Sequence, residues 1–382
     1  MNKILFVSHK EKKCGVHQYG RDVAQALEKS DEYSFVYVEC SSAEELFAVV
    51  DEVTPLAVIY NYYFSTQPWL QHDVMNRISV PQLGILHEVT QQNADSMTNE
   101  FFDYHIAPDP SLLTRNPIVF KTGRLVPEYK NLFELPEVPT IGSFGFATAG
   151  KGFRHLMIAV QEEFDEAIIR LHIPSGDFAN SSAKEMAQQC QEMIVKDGIQ
   201  LIVTHDFYDV KQLLDFLAQN TLNAFFYERC EGRGISSVIE KAISVQRPIA
   251  VTNSLMFRHV LSSCPAICVQ SNAQLRVSPK QRPLLKEKMQ RYVGKSQSEF
   301  PLEWLVEPQH SLKQIMANGT SCIDAFRHQW NEANLVSDYE KIVNTVLNQK
   351  LAVRPQPARR KKALMIKRVY GRIRRIIKNK SF

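Results

Sequence analysis

The fold is decided by one stretch in the middle of the chain, Pro139-Thr-Ile-Gly-Ser-Phe-Gly-Phe-Ala-Thr-Ala-Gly-Lys-Gly152, which continues as Phe153-Arg-His-Leu-Met-Ile-Ala-Val160. The apolar start predicts a short strand, the glycines predict a turn, and the continuation has the apolar spacing of an amphipathic helix. Glycines let backbone N–H groups approach an anion, and the positive end of the helix dipole favours one there. Lys151 adds a full positive charge to the turn.

Because this strand–turn–helix unit begins near residue 140, it indicates a second nucleotide-type domain behind a first one. A chain of 382 residues is long for one core and suits two domains. With 44% hydrophobic and 23% charged residues, the composition is that of a soluble globular protein. No apolar run in the sequence reaches membrane-spanning length.

Strands and helices alternate on both sides of a linker at residues 131–139, and this alternation predicts parallel sheets covered on both faces. We expect an α/β protein with two Rossmann-like, doubly wound domains facing a cleft. The predicted strands span 4–8, 34–39, 56–62, 82–86 and 104–107 in the first domain, then 140–143, 168–173, 199–204, 224–227 and 249–251 in the second. The predicted units are an N-terminal domain (1–133), a C-terminal domain (138–330), a crossover helix (331–350) and a basic tail (351–382).

Polar and glycine-rich segments follow several of the predicted strands, where open α/β sheets bind their ligands. The first is residues 12–20, which contain Gly15. The others are His87-Glu88, the turn at 142–152, and residues 227–237 with Glu240 just beyond. A glycine-rich turn alone is weak evidence. The order of the four segments along the chain is stronger evidence for a ligand-binding site.

Together these segments resemble the retaining, nucleotide-sugar-dependent glycosyltransferases of the family 4 type, which have the GT-B fold. The resemblance is carried by Cys14-Gly-Val-His-Gln-Tyr19, by Ile141-Gly-Ser-Phe-Gly-Phe146 with Lys151-Gly152, and by Glu231-Gly-Arg-Gly-Ile-Ser-Ser-Val-Ile-Glu240 with Arg247-Pro248. It covers roughly residues 1–350. It implies transfer of a sugar from a nucleotide diphosphate sugar to a hydroxyl acceptor, in surface polysaccharide or glycolipid synthesis.

The resemblance also implies roles for individual residues. Lys151 and the N–H groups of the turn would stabilise the leaving diphosphate without a metal, and no cofactor beyond the donor substrate is expected. Glu231 would bind sugar hydroxyls and Glu240 the ribose, because a carboxylate accepts hydrogen bonds from two hydroxyls. The implied catalytic residues are His87 and Glu231, and the implied donor-binding residues are Gly15, Lys151, Gly152, Arg233, Gly234, Ser236, Ser237 and Glu240.

Two features depart from the family pattern. Eight residues separate Glu231 from Glu240 where the family usually has seven, and Glu228 is the alternative partner. Phe146 stands where the family commonly has a basic residue, so a second phosphate-binding cation must come from elsewhere, with Arg233 as the candidate.

Plainer interpretations of the same residues stay open. Gly15 can be a tight turn, His87 a structural histidine and Glu240 a solvated helix residue. Two other functions also stay open at this point: a nucleotide-sugar epimerase with the same fold, and a catalytically inactive GT-B module that acts as a binding or scaffold protein.

The charge is distributed unevenly. The net charge is +4, yet residues 354–382 hold 12 Lys or Arg and no Asp or Glu, which leaves the rest at −8. Apolar residues from Leu364 to Ile377 recur at three- and four-residue steps, a pattern typical of a helix on an anionic membrane surface. Residues 359–380 therefore predict peripheral membrane binding, close to a glycan or lipid-linked acceptor. The alternatives are a solubilising tail and, last because aromatic residues are sparse there, nucleic-acid binding.

The seven cysteines are scattered and odd in number, without CxxC spacing. They predict reduced, mostly structural thiols and a cytoplasmic location. Residues 276–295 form a basic insertion for which the sequence predicts no element.

Overall fold

The computed structural model describes residues 1–12, 14–175, 183–228, 233–269 and 310–349. The insertion at 276–295, the basic tail from 351 and the candidate catalytic residue Glu231 lie outside the described residues, so the predictions made for them stay predictions.

The first sheet contains six parallel strands in the order β2-β1-β3-β4-β5-β6. Their interiors are apolar on both faces, as a sheet covered by helices requires. The strands are β1 (Asn2–Ser8), β2 (Tyr33–Glu39), β3 (Ala57–Tyr62), β4 (Gln82–Leu86), β5 (Tyr104–Ala107) and β6 (Val119–Lys121). The helices of this part are α1 (Gly15–Leu27), α2 (Ala43–Val53), α3 (His72–Met75) and α4 (Gln91–Ser96).

The second sheet contains five parallel strands in the order β11-β10-β7-β8-β9. The strands are β7 (Thr140–Phe144), β8 (Ala167–His172), β9 (Ile199–Thr204), β10 (Leu222–Phe225) and β11 (Ile249–Val251). The helices that follow are α5 (Phe153–Glu163), α6 (Ala183–Glu192), α7 (Val210–Ala218), α8 (Val238–Ser244), α9 (Arg258–Leu261), α10 (Leu312–Asn318) and α11 (Ser321–Gln329).

A last helix, α12 (Glu332–Asn348), returns to the first sheet and packs on α1. Its apolar face, which includes Leu335, Tyr339 and Val343, joins the same core as Ile4 and Leu27. Polar contacts fix its register, because the Ser30 hydroxyl donates to Glu340 and the Tyr33 hydroxyl donates to Asn344. The predicted crossover helix is thereby confirmed, and the two Rossmann-like sheets confirm the predicted fold class.

The structure adds elements that the sequence did not predict. Strand β6 has only three residues and follows Pro117, so its hydrophobic pattern is too short to stand out. The long terminal helical region predicted at 325–349 is divided, because α11 ends at Gln329 and Asn331 caps the start of α12 with its side chain.

One prediction about the cysteines is wrong. Cys264 and Cys322 form a disulfide, with Cα atoms 5.6 Å apart although 58 positions separate them in sequence. Only the packing of α11 against α8 and α9 brings them within bonding range, and spacing along the chain cannot reveal this. The other described cysteines, including buried Cys40, Cys190 and Cys268, are free thiols.

Within the described residues, every helix is too short or too polar to traverse a lipid bilayer.

Candidate functional site

A cleft of about 570 Å³ lies between the two sheets, and it is lined from both domains. In the first sheet the strand order changes direction beside β1, and in the second beside β7. Such switch points leave a crevice at the carboxyl ends of the strands. The turn after β1 and the turn after β7 therefore face one cleft, where Gly15 and Lys151 both line the wall.

The turn after β7 needs its glycines. Gly145, Gly150 and Gly152 have φ values of 147°, 84° and 65°. Residues that carry a Cβ rarely adopt such positive φ values. A Cβ on Gly152 would also lie 1.7 Å from the carbonyl oxygen of Phe226. The turn is tied to the segment that follows β10, because the Glu228 N–H donates to the Gly150 carbonyl at 2.9 Å. Gly152 is thus a structural residue behind the cleft wall.

Lys151 is held on the cleft wall by Tyr227. Its ammonium nitrogen lies 2.6 Å from the Tyr227 hydroxyl oxygen and 4.1 Å from the centre of that ring. The ring is buried at 1% exposure, so it is a fixed support. An ammonium group has three donors, so the charge and further hydrogen bonds stay available to a ligand in the cleft.

Gly15 begins α1 at the opposite wall. A Cβ on Gly15 would meet no atom within 4 Å, so packing does not require glycine there. Cys14, the residue before the helix, makes no side-chain capping bond. The first-turn N–H groups of α1 therefore face the cleft uncapped by a side chain, and the positive end of the helix dipole points the same way.

His87 lines the cleft as a neutral imidazole. Its Nε2 lies 2.7 Å from Asn61 Oδ1, while the Asn61 amide nitrogen donates to the Ser8 hydroxyl and to the Val16 carbonyl. These two bonds orient the Asn61 amide, so His87 Nε2 carries the proton and Nδ1 the lone pair. Burial lowers the pKa of His87 to about 3. The histidine is therefore a polar neutral group at neutral pH.

The segment at 233–237 forms the second-domain wall opposite His87. Arg233, Gly234, Ser236 and Ser237 all line the cleft, as the resemblance implied. Two of them differ in their availability. The Ser236 N–H donates to the Met256 carbonyl at 2.9 Å, and Ser236 is buried, whereas Ser237 is exposed and makes no capping bond at α8. Ser237 is the freer donor.

Glu240 lies behind the cleft. It is 3% exposed and its Oε1 accepts a hydrogen bond from Arg124 Nε at 2.5 Å. Arg124 also donates to the Pro108 carbonyl, so this buried pair joins the two domains. Burial alone would lower the pKa of Arg124, but the adjacent Glu240 carboxylate raises it overall. The resemblance assigns the Glu240 carboxylate to the ribose, but in this structure that carboxylate accepts a hydrogen bond from Arg124.

Several cleft residues escaped sequence reasoning. The imidazole of His172 and the ring of Tyr208 are stacked with centres 3.9 Å apart and planes 5° apart. Phe207 also lines the cleft, as does Phe146, which the sequence had marked only as a departure from the family pattern. These aromatic residues come from the ends of β7, β8 and β9, and nothing in their local sequence indicates that they line one cleft.

A second ion pair spans the domains close to the cleft. Arg258 Nε lies 2.9 Å from Asp109 Oδ2, and the Arg258 Nη2 donates to the Val89 carbonyl. Asp109 and Arg258 are distant in sequence and belong to different domains, so their pairing was not predictable.

No protein-family model and no curated protein sequence matches the chain. Solved structures do. HepE of Anabaena in complex with UDP-glucose superposes with a TM-score of 0.58 at 12% identity, over 90% of this chain and 100% of that chain. Sucrose-phosphate synthase of Thermosynechococcus elongatus has a TM-score of 0.55 at 12% identity, over 91% and 99%. A glycosyltransferase of Rickettsia africae has a TM-score of 0.54 at 11% identity, over 91% and 99%.

At these identities the likeness concerns the fold, and it extends over nearly the whole of each chain. Two parallel sheets, a cleft between their carboxyl ends and a helix that crosses back give this protein the GT-B fold of the solved glycosyltransferases.

Proposed function

We propose that this protein is a glycosyltransferase that moves a sugar from a nucleoside diphosphate sugar to a hydroxyl acceptor. The observation that carries the proposal is the placement of Lys151 and the N-terminal turn of α1 on opposite walls of one cleft. A diphosphate between them would meet a full charge on one side and uncapped N–H donors on the other.

The chemistry of the reaction explains why such donors are useful. As the glycosidic bond to the donor breaks, negative charge builds up on the departing diphosphate. Donors that are already aimed at this charge lower the barrier because they need no reorganisation when it appears. Tyr227 fixes Lys151 in advance, and Arg233 is the second cation of the second-domain wall.

The aromatic residues of the cleft favour a nucleoside as the other part of the donor. Tyr208, which stacks on buried His172, and the exposed ring of Phe207 offer an aromatic surface to a nucleobase. Several solved neighbours carry UDP or UDP-glucose. We therefore propose a uridine nucleotide sugar as the first donor to test.

The finer features are proposals that rest on the family resemblance. They are retention of configuration, independence of a metal, no cofactor other than the donor, and a role in surface polysaccharide or glycolipid synthesis. Support for metal independence comes from the cationic and N–H donors of the cleft, which can stabilise a diphosphate by themselves. Cytoplasmic location and peripheral membrane binding through residues 359–380 stay predictions.

A thermal-shift screen with nucleoside diphosphates and nucleotide sugars tests the proposal. We expect UDP or another nucleoside diphosphate to raise the Tm, because a ligand that binds only the folded state stabilises it. Lys151→Ala should abolish most of that shift. If no nucleotide raises the Tm of the full chain, the glycosyltransferase proposal fails.

A further inference from the structure

We propose that the linker between the two domains is the docking surface for the chain's own basic tail when the tail is not on a membrane. The occupant is the segment 359–380, which lies outside the described residues. The docking surface, the linker surface, has three apolar and three acidic members: Leu132, Phe133, Leu135, Glu128, Glu134 and Glu137. The proposal does not depend on the reaction proposed above.

The apolar members of the linker surface face solvent. Leu132 is 76% exposed, Leu135 is 61% exposed and Phe133 is 39% exposed. Single exposed apolar side chains are ordinary on a protein surface, but neighbouring ones that form a patch usually mark an interaction site. Three of them within four consecutive positions therefore call for an occupant.

The backbone under these side chains is held to the second domain. Arg247, which is 8% exposed, donates from Nη2 to the Phe133 carbonyl at 2.6 Å and to the Glu134 carbonyl at 3.1 Å. The Asn131 side chain donates to the Val245 carbonyl at 2.8 Å and accepts from the Phe133 N–H at 3.0 Å. The linker surface is thus formed in advance, so little ordering entropy is lost on this side when a partner docks.

The charges of the linker surface decide between possible occupants. The exposed charged residues between positions 128 and 137 are three glutamates and one lysine, Glu128, Lys130, Glu134 and Glu137, which gives three negative charges against one positive charge. An anionic lipid surface would be repelled, and so would a second copy of the chain that docked through the same surface. Residues 354–382 hold 12 Lys or Arg and no Asp or Glu, so the tail has the complementary charge.

The tail also has an apolar stripe that matches the apolar side chains of the linker. Its apolar residues from Leu364 to Ile377 recur at three- and four-residue steps in the sequence. A helix with such a stripe is stabilised mainly by burial of the stripe against another surface. An anionic membrane offers that burial where one is present, and the linker surface offers it elsewhere. Membrane and linker surface therefore compete for the same stripe.

The tail is long enough to reach the linker surface. The Val126 N–H donates to the Trp330 carbonyl at 2.7 Å, which places the chain just before the linker beside the start of α12. That helix has 17 residues and is about 25 Å long, and the chain from Val126 to Leu132 spans at most about 20 Å. The end of α12 is thus at most about 45 Å from Leu132, and residues 350–363 can extend about 45 Å before the stripe begins.

Photocrosslinking in the full chain tests the proposal. Benzoylphenylalanine replaces Leu132 or Leu135 in turn, and mass spectrometry identifies the crosslinked peptides. We expect crosslinks within one chain to residues 359–380. Phosphatidylserine vesicles should lower the yield at least about fivefold, and phosphatidylcholine vesicles should leave it unchanged, because only the anionic surface attracts the basic tail.

Leu113 is the control position, because it is 81% exposed in the first domain and its nearest charged neighbour in sequence, Arg115, is basic. Benzoylphenylalanine there should give no crosslink to the tail. The double variant E134K/E137K should lower the yield from position 132 about fivefold. The charge-matched control D51K/E52K, which changes two exposed acids on α2, should keep the yield of the parent chain.

Four results would each overturn the proposal. They are the absence of crosslinks from positions 132 and 135 to residues 359–380, an equal yield from position 113, crosslinks that join two copies of the chain, and a yield that E134K/E137K or phosphatidylserine vesicles leave unchanged. An unchanged Tm of each variant shows that its fold is retained, so a lost crosslink then reports on the linker surface itself.

Discussion

Gly234 of the second domain lies against the backbone of His87 in the first domain. A Cβ built on Gly234 would be 2.0 Å from the His87 carbonyl oxygen and 3.1 Å from the Cα of Glu88. Backbone is in contact with backbone here, so neither side can yield by rotating a side chain. The distance between the two walls of the cleft is therefore set at this contact.

Substitution of Gly234 by alanine should force the walls apart. We expect Gly234→Ala to fold but to weaken binding of a nucleoside diphosphate sugar at least about tenfold, since donors on both walls must reach the same ligand. Isothermal titration calorimetry measures the effect. Gly123→Ala is the control, because a Cβ there would make only an ordinary contact at 3.5 Å to Asp338. Equal donor affinity of Gly234→Ala and wild type would show that this contact does not set the cleft.

Removal of the Lys151 charge should slow sugar transfer in addition to weakening nucleotide binding. Loss of one donor to a developing anion costs about 10²–10³ in kcat. We expect a loss of that size for Lys151→Ala in a steady-state assay of sugar transfer, and partial activity for Lys151→Arg. Lys211→Ala is the matched control, because that side chain is 80% exposed and pairs with Asp215 on the same helix, α7. A decrease of less than threefold in Lys151→Ala would contradict the assigned role.

The buried pair of Arg124 and Glu240 should behave as a structural link between the domains. Removal of one partner from a buried ion pair leaves an uncompensated charge, which costs about 3–5 kcal/mol. We expect Glu240→Ala to lower the free energy of unfolding by that order in urea titrations, and the double variant R124M/E240L to recover much of it. If Glu240→Ala keeps wild-type stability but loses donor affinity, the ribose role implied by the family resemblance is the better description.

Stability should fall in mild acid. Burial lowers the pKa of His105 to about 4 from its ordinary value of 6.5, and its Nε2 lies 2.8 Å from the Thr98 carbonyl oxygen. Between about pH 6.5 and pH 4, His105 is protonated in the unfolded chain but neutral in the folded protein. The contribution of neutral His105 to the free energy of unfolding is therefore fully present above pH 6.5 and is lost as the pH falls towards 4. This group alone accounts for about 2 kcal/mol between pH 7 and pH 5.

His105→Gln offers the corresponding test, since glutamine keeps a donor without a titrating ring. The Tm should depend less steeply on pH between 7 and 5 in this variant than in the wild type. His87 and His172 have the same direction of shift, with pKa values lowered to about 3 and about 4, so the slope should decrease without vanishing. An identical slope in both proteins would disprove the assignment.

Removal of residues 354–382 should separate membrane binding from donor chemistry. The segment holds 12 basic residues and no acidic ones, and each basic residue near an anionic surface contributes about 1 kcal/mol. We expect the shortened chain to lose sedimentation with phosphatidylserine vesicles while its Tm shift with UDP persists. Vesicles of phosphatidylcholine are the control for charge. Equal sedimentation of both chains would refute the membrane prediction.

The sequence was sufficient to predict the glycine-dependent turns and the alternation of strands and helices. Gly145, Gly150 and Gly152 occupy positive φ values that glycine alone adopts readily, and alternation of apolar strands with amphipathic helices predicted both parallel sheets. The placement of Lys151 in the turn after β7 followed from the same pattern. Residues as distant as Gly15, His87 and Gly234 were predicted to share a cleft, because parallel strands end at one edge, and all three line it.

Pairings between remote segments needed the tertiary structure. Tyr227 supports Lys151 from 76 positions away, Arg124 neutralises Glu240 from 116 positions away, and Cys322 bonds Cys264 from 58 positions away. Strand period and glycine torsion angles are properties of a few consecutive residues, so the sequence by itself determined the two sheets and their turns. Which side chains meet depends on how two sheets and a returning helix pack together, and only the tertiary structure decided that Glu240 is buried while Glu88 faces the cleft.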